Sequence, residues 1–140
     1  MILLDTDHLS VVGFPGHSRY ASLVQRLQAS SEDFATTVVS AEEQMRGWLA
    51  EINRQRRGHD QIPAYERLAE LIEFLSQWEI VRFDEPAADE FERLRKAGIH
   101  IGTQDLKIAG IARVHEALLL SANLRDFHRV PGLRVENWLE

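Results

Sequence analysis

Cysteine is absent from the sequence, which excludes disulfides and thiolate metal sites and leaves oxygen and imidazole as the expected metal donors. No apolar run approaches the roughly 18 residues that a membrane-spanning helix needs. The opening segment MILLDTDHLS carries Asp5 and Asp7 where a secretion signal would be apolar, so the expected location is cytoplasmic, with no membrane partner. The six histidines (His8, His17, His59, His100, His115 and His128) show no H-E-x-x-H or other close ligand spacing, which argues against zinc. There is no G-x-x-x-x-G-K-S/T loop, no G-x-G-x-x-G fingerprint and no G-x-S-x-G elbow, and nucleotide-binding and serine-hydrolase classes lose their main support. Net positive charge is lacking too: the formal charge is -6, which works against binding a polyanion. Two basic clusters offset this locally: Arg54, Arg56, Arg57 and His59 in NRQRRGH, and Arg93, Arg95, Lys96 and His100 in ERLRKAGIH. Each cluster also fits the C-terminal end of a helix, where cations complement the helix dipole and face solvent.

The 140 residues are enough for one core and too few for two ordinary domains, so a single domain over 1–140 is expected. With 44% hydrophobic and 27% charged residues, the balance is that of a folded globular chain. Ile2-Leu3-Leu4 is an apolar run stopped by Asp5, as in a buried parallel strand. Tyr20, Leu23, Val24 and Leu27 recur at helical spacing within 17–29, and Phe34 to Val39 is rich in β-formers. Ser40 and Glu43 form an S-x-x-E capping pattern, predicting a helix from Ser40 to about Gly58. A second helix is expected after Pro63, with Leu68, Leu71, Ile72 and Leu75 on its apolar face. Glu79 to Phe83 predicts a strand, Pro86 to Lys96 a helix stopped by Gly98, and Thr103 a cap for a helix carrying Asp105. Short strands follow at Ala117 to Leu120 and Leu133 to Val135. The alternation predicts an α/β sandwich with a mostly parallel central sheet and an inserted helix pair.

In such a sheet, ligands bind beyond the carboxyl ends of the strands. Asp5, Glu43 and Asp126 each come soon after a predicted strand and Asp105 lies in the first turn of a helix, which directs all four to that edge. Singly, each has an ordinary role as a cap, a dipole partner or a turn former. Together they conflict, because two carboxylates 4 Å apart repel by about 4 kcal/mol at an effective dielectric near 20. A hard divalent cation relieves that repulsion and keeps positions open for water and a phosphate oxygen. An all-carboxylate site points to phosphate chemistry.

On these residues the chain resembles the PIN-domain ribonucleases, and among them the VapC-type toxins of bacterial toxin-antitoxin pairs, over nearly its whole length. LLDTDHLS is similar to the family's opening strand, with Asp5 in the place of the first metal-binding aspartate. TTVVSAEEQMRGWL resembles the second motif, in which a glutamate precedes a glycine by four positions; this selects Glu43, ahead of Gly47, over Glu42. IGTQDLKIAGIA resembles the third, with Asp105 as the central aspartate. LLLSANLRDFHRVPGLRVENW resembles the last, with Asn123 and Asp126 as its polar pair. Asp7 stands where many members have asparagine, and Ser121 where threonine is frequent. The resemblance implies an α/β/α sandwich and an endoribonuclease dependent on Mg2+, with Mn2+ as substitute, acting on tRNA or other structured RNA through metal-activated water. It implies Asp5 and Asp105 as principal metal ligands, Glu43 and Asp126 completing the set, and Thr6, Ser121 and Asn123 as supporting groups. It further implies a homodimer silenced by a cognate VapB-type antitoxin. The faces around Leu68, Leu71, Ile72 and Leu75 are candidate partner surfaces, with core packing as the ordinary explanation for most of them.

Two rivals remain. Asp5-Thr6-Asp7 after an apolar strand also suits a phosphohydrolase of the haloacid-dehalogenase type, although only Lys96 and Lys107 are available as its lysine and there is no Gly-Asp dipeptide. The other rival is a non-catalytic PIN-like module that binds RNA or protein.

Overall fold

The structure is a computed structural model describing residues 1–140. Five short strands form one sheet: β1 (Ile2–Leu4), β2 (Phe34–Thr37), β3 (Ile80–Val81), β4 (Leu118–Leu120) and β5 (Arg134–Glu136). Their order is β3-β2-β1-β4-β5, and every pairing is parallel. Between them run α1 (Thr6–Val12), α2 (Tyr20–Ala29), α3 (Val38–Arg54), α4 (Gly58–Leu75), α5 (Glu85–Lys96), α6 (Thr103–Val114) and the single turn α7 (Leu124–Phe127). Helices α3 and α4 form the expected pair between β2 and β3. No helix is long and apolar enough to cross a membrane.

Side-chain alternation in the central strands sorts the core into two layers. Leu3, Ala35 and Leu119 face Phe91 and Leu94 of α5, Ile108 and Ile111 of α6, and Phe127. Ile2, Leu4, Leu118 and Leu120 face Leu9, Leu23, Leu27, Leu71 and Leu75, from α1, α2 and α4. Both faces of the sheet centre are therefore covered, which is why β1 and β4 are continuously apolar rather than amphipathic. Of the candidate partner-facing residues on α4, Leu71 and Leu75 are core, whereas Ile72 is 51% exposed beside Leu49 of α3.

Helices α5 and α6 approach closely because position 110 has no side chain. A Cβ there would lie 3.1 Å from the Ala87 carbonyl oxygen and 3.2 Å from the Phe91 nitrogen, both backbone atoms that cannot rotate away. Gly110→Ala is expected to lower stability by about 1–3 kcal/mol through overpacking, against the small gain alanine brings to a helix interior; chemical denaturation measures it, and a variant as stable as the parent would show that the helices separate freely.

Several boundaries differ from expectation for identifiable reasons. The second strand stops at Thr37, whose Oγ1 accepts the Ser40 N–H at 3.0 Å and caps α3. Ser40 is thus inside the helix, no Ser40–Glu43 capping box forms, and Glu43 is free to turn elsewhere. Helix α3 ends at Arg54 rather than Gly58, and α4 begins at Gly58, ahead of Pro63. Gln61 holds that early turn in place by donating from Nε2 to the Ile52 and Gln55 carbonyls at the end of α3, both at 3.0 Å. Gly102, not Thr103, is the N-cap of α6. Arg93, Arg95 and Lys96 occupy the last turn of α5, as the dipole favours. Arg57 and His59 instead sit at the start of α4, the end where cations gain nothing from it.

Candidate active site

The register places the site. Leu4 is level with Thr36 on one side and Leu120 on the other, so Asp5, Thr37 and Ser121 emerge side by side from the carboxyl ends of the three central strands. From β1 the chain winds outward through β2 and β3, then returns to β4 on the opposite side. The β1–β4 boundary is therefore the topological switch point, where the outgoing connections diverge and leave a crevice. Asp5 and Ser121 flank it.

Asp5 is the N-cap of α1: its Oδ1 accepts the Thr6 N–H at 2.7 Å and its Oδ2 the Ser121 hydroxyl at 2.7 Å. The side chain is almost enclosed, with 6% of the residue exposed. Glu43, on α3, turns toward α1, where its Oε2 accepts the Thr6 hydroxyl at 2.9 Å. Thr6 thereby connects the first two acidic residues. Asp105, in the first turn of α6, and Asp126, on α7, share a second connector: Asn123 donates from Nδ2 to Oδ2 of Asp105 at 3.0 Å and to Oδ2 of Asp126 at 3.1 Å. The Asn123 N–H donates to Ser121 Oγ at 3.0 Å, which closes the chain of bonds back to Asp5. The structure thus brings together all four predicted carboxylates and all three predicted supporting residues.

Their electrostatics match the crowding. Burial pushes the Asp5 carboxyl up from its ordinary 3.8 to about 6, against the Ser121 hydrogen bond and with help from the charges of Asp7 and Glu43. Asp105 is pushed up to about 6, first by burial and then by the charge of Asp5, with Asp126 and Asp7 adding to it and Asn123 opposing. Glu43 is raised as well, by burial and by the Asp105 and Glu42 charges, against its Thr6 bond. The donors are all oxygen, the charges disfavour one another, and only neutral groups bridge them. These features fit the donor chemistry of a hard divalent cation. No three acidic or histidine side chains already form a closed cation cage; Thr6, Ser121 and Asn123 hold the carboxylates around the crevice instead.

Asp7 and His8 enlarge this picture. Asp7 Oδ2 accepts the Ala122 N–H at 2.9 Å, and its Oδ1 faces His8 Nδ1 at 2.5 Å. Burial works to raise the Asp7 carboxyl, but the bonds from His8 and Ala122 outweigh it and hold the group below its ordinary value. His8 is fully buried, and its Nε2 accepts the Trp138 N–H at 3.0 Å, which assigns the ring hydrogen to Nδ1, facing Asp7. Asp7 is therefore a structured member of the acidic edge. Nothing in the sequence marks His8 for this role, because its partner lies 130 residues away.

The residues matched by the PIN domain family model are 2–133, nearly the entire chain and all of the acidic edge. The chain belongs to the PIN domain family. This PIN domain is 34% identical over 86 residues to the tRNA(fMet)-specific endonuclease VapC of Salmonella typhimurium, covering 58% of the chain and 65% of that relative. It is 38% identical over 76 residues to Ribonuclease VapC2 of Haemophilus influenzae, covering 51% of the chain and 58% of that protein. The chain thus spans less than two thirds of the length of these curated relatives. Among solved structures, VapBC2 from Rickettsia felis bound to a DNA fragment from its promoter matches with a TM-score of 0.72 and 25% identity, covering 99% of each chain. The fold also matches DNA-bound VapBC from Salmonella typhimurium, with a TM-score of 0.73 and 23% identity over 98% of this chain and 97% of that one. Membership in the PIN family sets aside the haloacid-dehalogenase alternative.

Proposed function

We propose that this PIN domain is a divalent-metal-dependent endoribonuclease and the toxin of a toxin-antitoxin pair, working in the cytoplasm. The observation that carries the proposal is the convergence of Asp5, Glu43, Asp105 and Asp126 at the switch point, each fixed by a neutral donor. Mg2+, or Mn2+ in its place, suits that oxygen-only site, with Asp5 and Asp105 as principal ligands and Glu43 and Asp126 completing the set. When bound, such an ion supplies Lewis acidity to a water molecule and to the phosphodiester. The protein supplies orientation: Ser121 and the Thr6 N–H fix both oxygens of Asp5, Thr6 aims Glu43, and Asn123 spaces Asp105 from Asp126. Placing these carboxylates in advance lowers the reorganisation needed when charge develops on the phosphoryl and leaving oxygens.

A tRNA substrate is in keeping with the Salmonella relative, which is named for its action on tRNA(fMet). A VapB-type antitoxin partner is in keeping with the VapBC assemblies among the structural neighbours. The apolar groove between α3 and α4, with Val38, Leu49 and Ile72 exposed at 40–51%, offers a surface for that antitoxin or for the second copy in a homodimer. The test is incubation of the purified domain with total bacterial RNA in Mg2+, in Mn2+ and in EDTA. Discrete fragments are expected with either metal and none in EDTA; intact RNA with folded, metal-supplied protein would favour a non-catalytic binding module.

A further inference from the structure

We propose that the groove beside α6 is a binding track for the RNA backbone, through Arg95, Arg125 and Arg129 with His100, on the side of the acidic edge marked by Asp126. This inference rests on the nuclease reading and adds to it where the substrate lies. The groove, about 610 Å³ and open to solvent, runs between the end of α5, the loop before α6 and the single turn α7. In a chain of net charge -6 its lining is exceptional: three guanidinium groups and an imidazole against one carboxylate, Asp126. That carboxylate is also part of the candidate active site, since Asn123 joins it to Asp105. A strand laid along the groove therefore meets the acidic edge at its end.

The cations come from distant parts of the chain and are presented in different ways. Arg95 lies over the Phe91 ring, 5.1 Å from its centroid, and pairs with Glu92 at 2.8 Å, an arrangement that fixes its stem against the wall. Arg129 donates from Nη1 to the His100 carbonyl at 3.0 Å, tying α7 to the loop before α6 and leaving further guanidinium donors free. Arg125 is exposed and forms no ion pair, so its full charge is available to a phosphate. The basic cluster at 54–59 differs: Arg54 pairs with Glu51, and none of these residues lines the groove. Of the two clusters legible in the sequence, only Arg95 and His100 of the second reach the groove, where Arg125 and Arg129 join them. Arg93 pairs instead with Glu90. Guanidinium groups spaced along a groove suit successive phosphates through charge-assisted, forked hydrogen bonds.

The test uses the whole chain and a fluorescein-labelled single-stranded RNA oligonucleotide. Binding is followed by anisotropy in EDTA over a range of salt, and cleavage of the same RNA in Mg2+. Arg125→Gln and Arg95→Gln are expected to weaken binding roughly tenfold each, as for loss of a charged hydrogen bond, and to flatten the salt dependence by about 0.7 in logarithmic slope per contact. In cleavage the loss is expected in KM more than in kcat. Arg56→Gln, in the other cluster, is expected to behave as the parent. Both groove variants binding like the parent, with the same salt slope, would overturn the track even if cleavage is robust, and the nuclease reading would stand. Binding that depends on Arg125 without any cleavage would support the track and overturn the nuclease. A parent that neither binds nor cleaves RNA overturns both.

Discussion

Asp105→Asn is expected to lower the rate of metal-supported RNA cleavage about a thousandfold, some 4 kcal/mol of barrier, while leaving the fold intact. The substitution is isosteric, so the Asn123 side chain keeps an oxygen to donate to and α6 keeps its packing. What is lost is one negative charge at the centre of the acidic edge. Asp105 is the residue whose charge is felt by Glu43 and which itself responds to Asp5, Asp126 and Asp7, so its removal weakens any cation site there more than loss of a peripheral carboxylate. Single-turnover cleavage at saturating RNA measures the effect directly. Cleavage within tenfold of the parent would remove Asp105 from the machinery, and the proposed ligand set with it.

The second large effect concerns pH. A carboxyl whose value is higher in the fold than in the unfolded chain keeps its proton in the fold at pH values where the unfolded chain has released it. Protonation therefore supports the fold at low pH, and that support is lost as pH rises from about 4 through about 6. Asp5, moved from 3.8 to about 6, corresponds to about 3 kcal/mol lost over that window. Asp105 is less enclosed and adds a smaller amount of the same sign. Metal-free protein is accordingly expected to lose stability across the window relative to Asp5→Asn, which has no carboxyl to ionise there. The difference in Tm amounts to several degrees for a chain of this size. Mg2+ at pH 7.5, where the carboxylates are ionised, is expected to raise the parent's Tm more than it does at pH 5, and to do little for Asp5→Asn. Parallel Tm curves for parent and variant from pH 4 to 7.5, with no effect of Mg2+, would show that Asp5 is neither strained nor a cation ligand.

Much of the site was legible because PIN-type motifs are local. Each predicted carboxylate follows a strand or opens a helix, and the apolar runs that precede them, Ile2-Leu3-Leu4 and Ala117 to Leu120, announce buried strands on composition alone. The preference for Glu43 over Glu42 came from the resemblance to a motif spaced from Gly47; in the structure Glu43 turns inward to Thr6, while Glu42 bonds Gln104 and Arg46 at the surface. Element boundaries were less legible. Thr37 and Ser40 are both competent caps, and the choice between them depends on where β2 runs out of pairing with β1 and β3. The early start of α4 depends on Gln61 reaching the end of α3, which no local pattern encodes.

By itself the sequence determined the alternation of strands and helices and the absence of thiolate donors, and it marked the candidate carboxylates, since these follow from periodicity, composition and motif resemblance. Only the tertiary structure decided how those residues are joined. Thr6 serves Glu43 from 37 residues away, Ser121 serves Asp5 from 116, and Trp138 holds His8 from 130. It also decided which cations line a groove, because Arg95 and Arg125 become neighbours only when α5 and α7 flank the same loop. The physical reason is the same in each case. Hydrogen bonds and charge pairs act over a few ångströms of space, and separation along the chain does not enter until the sheet has set which strand ends lie side by side.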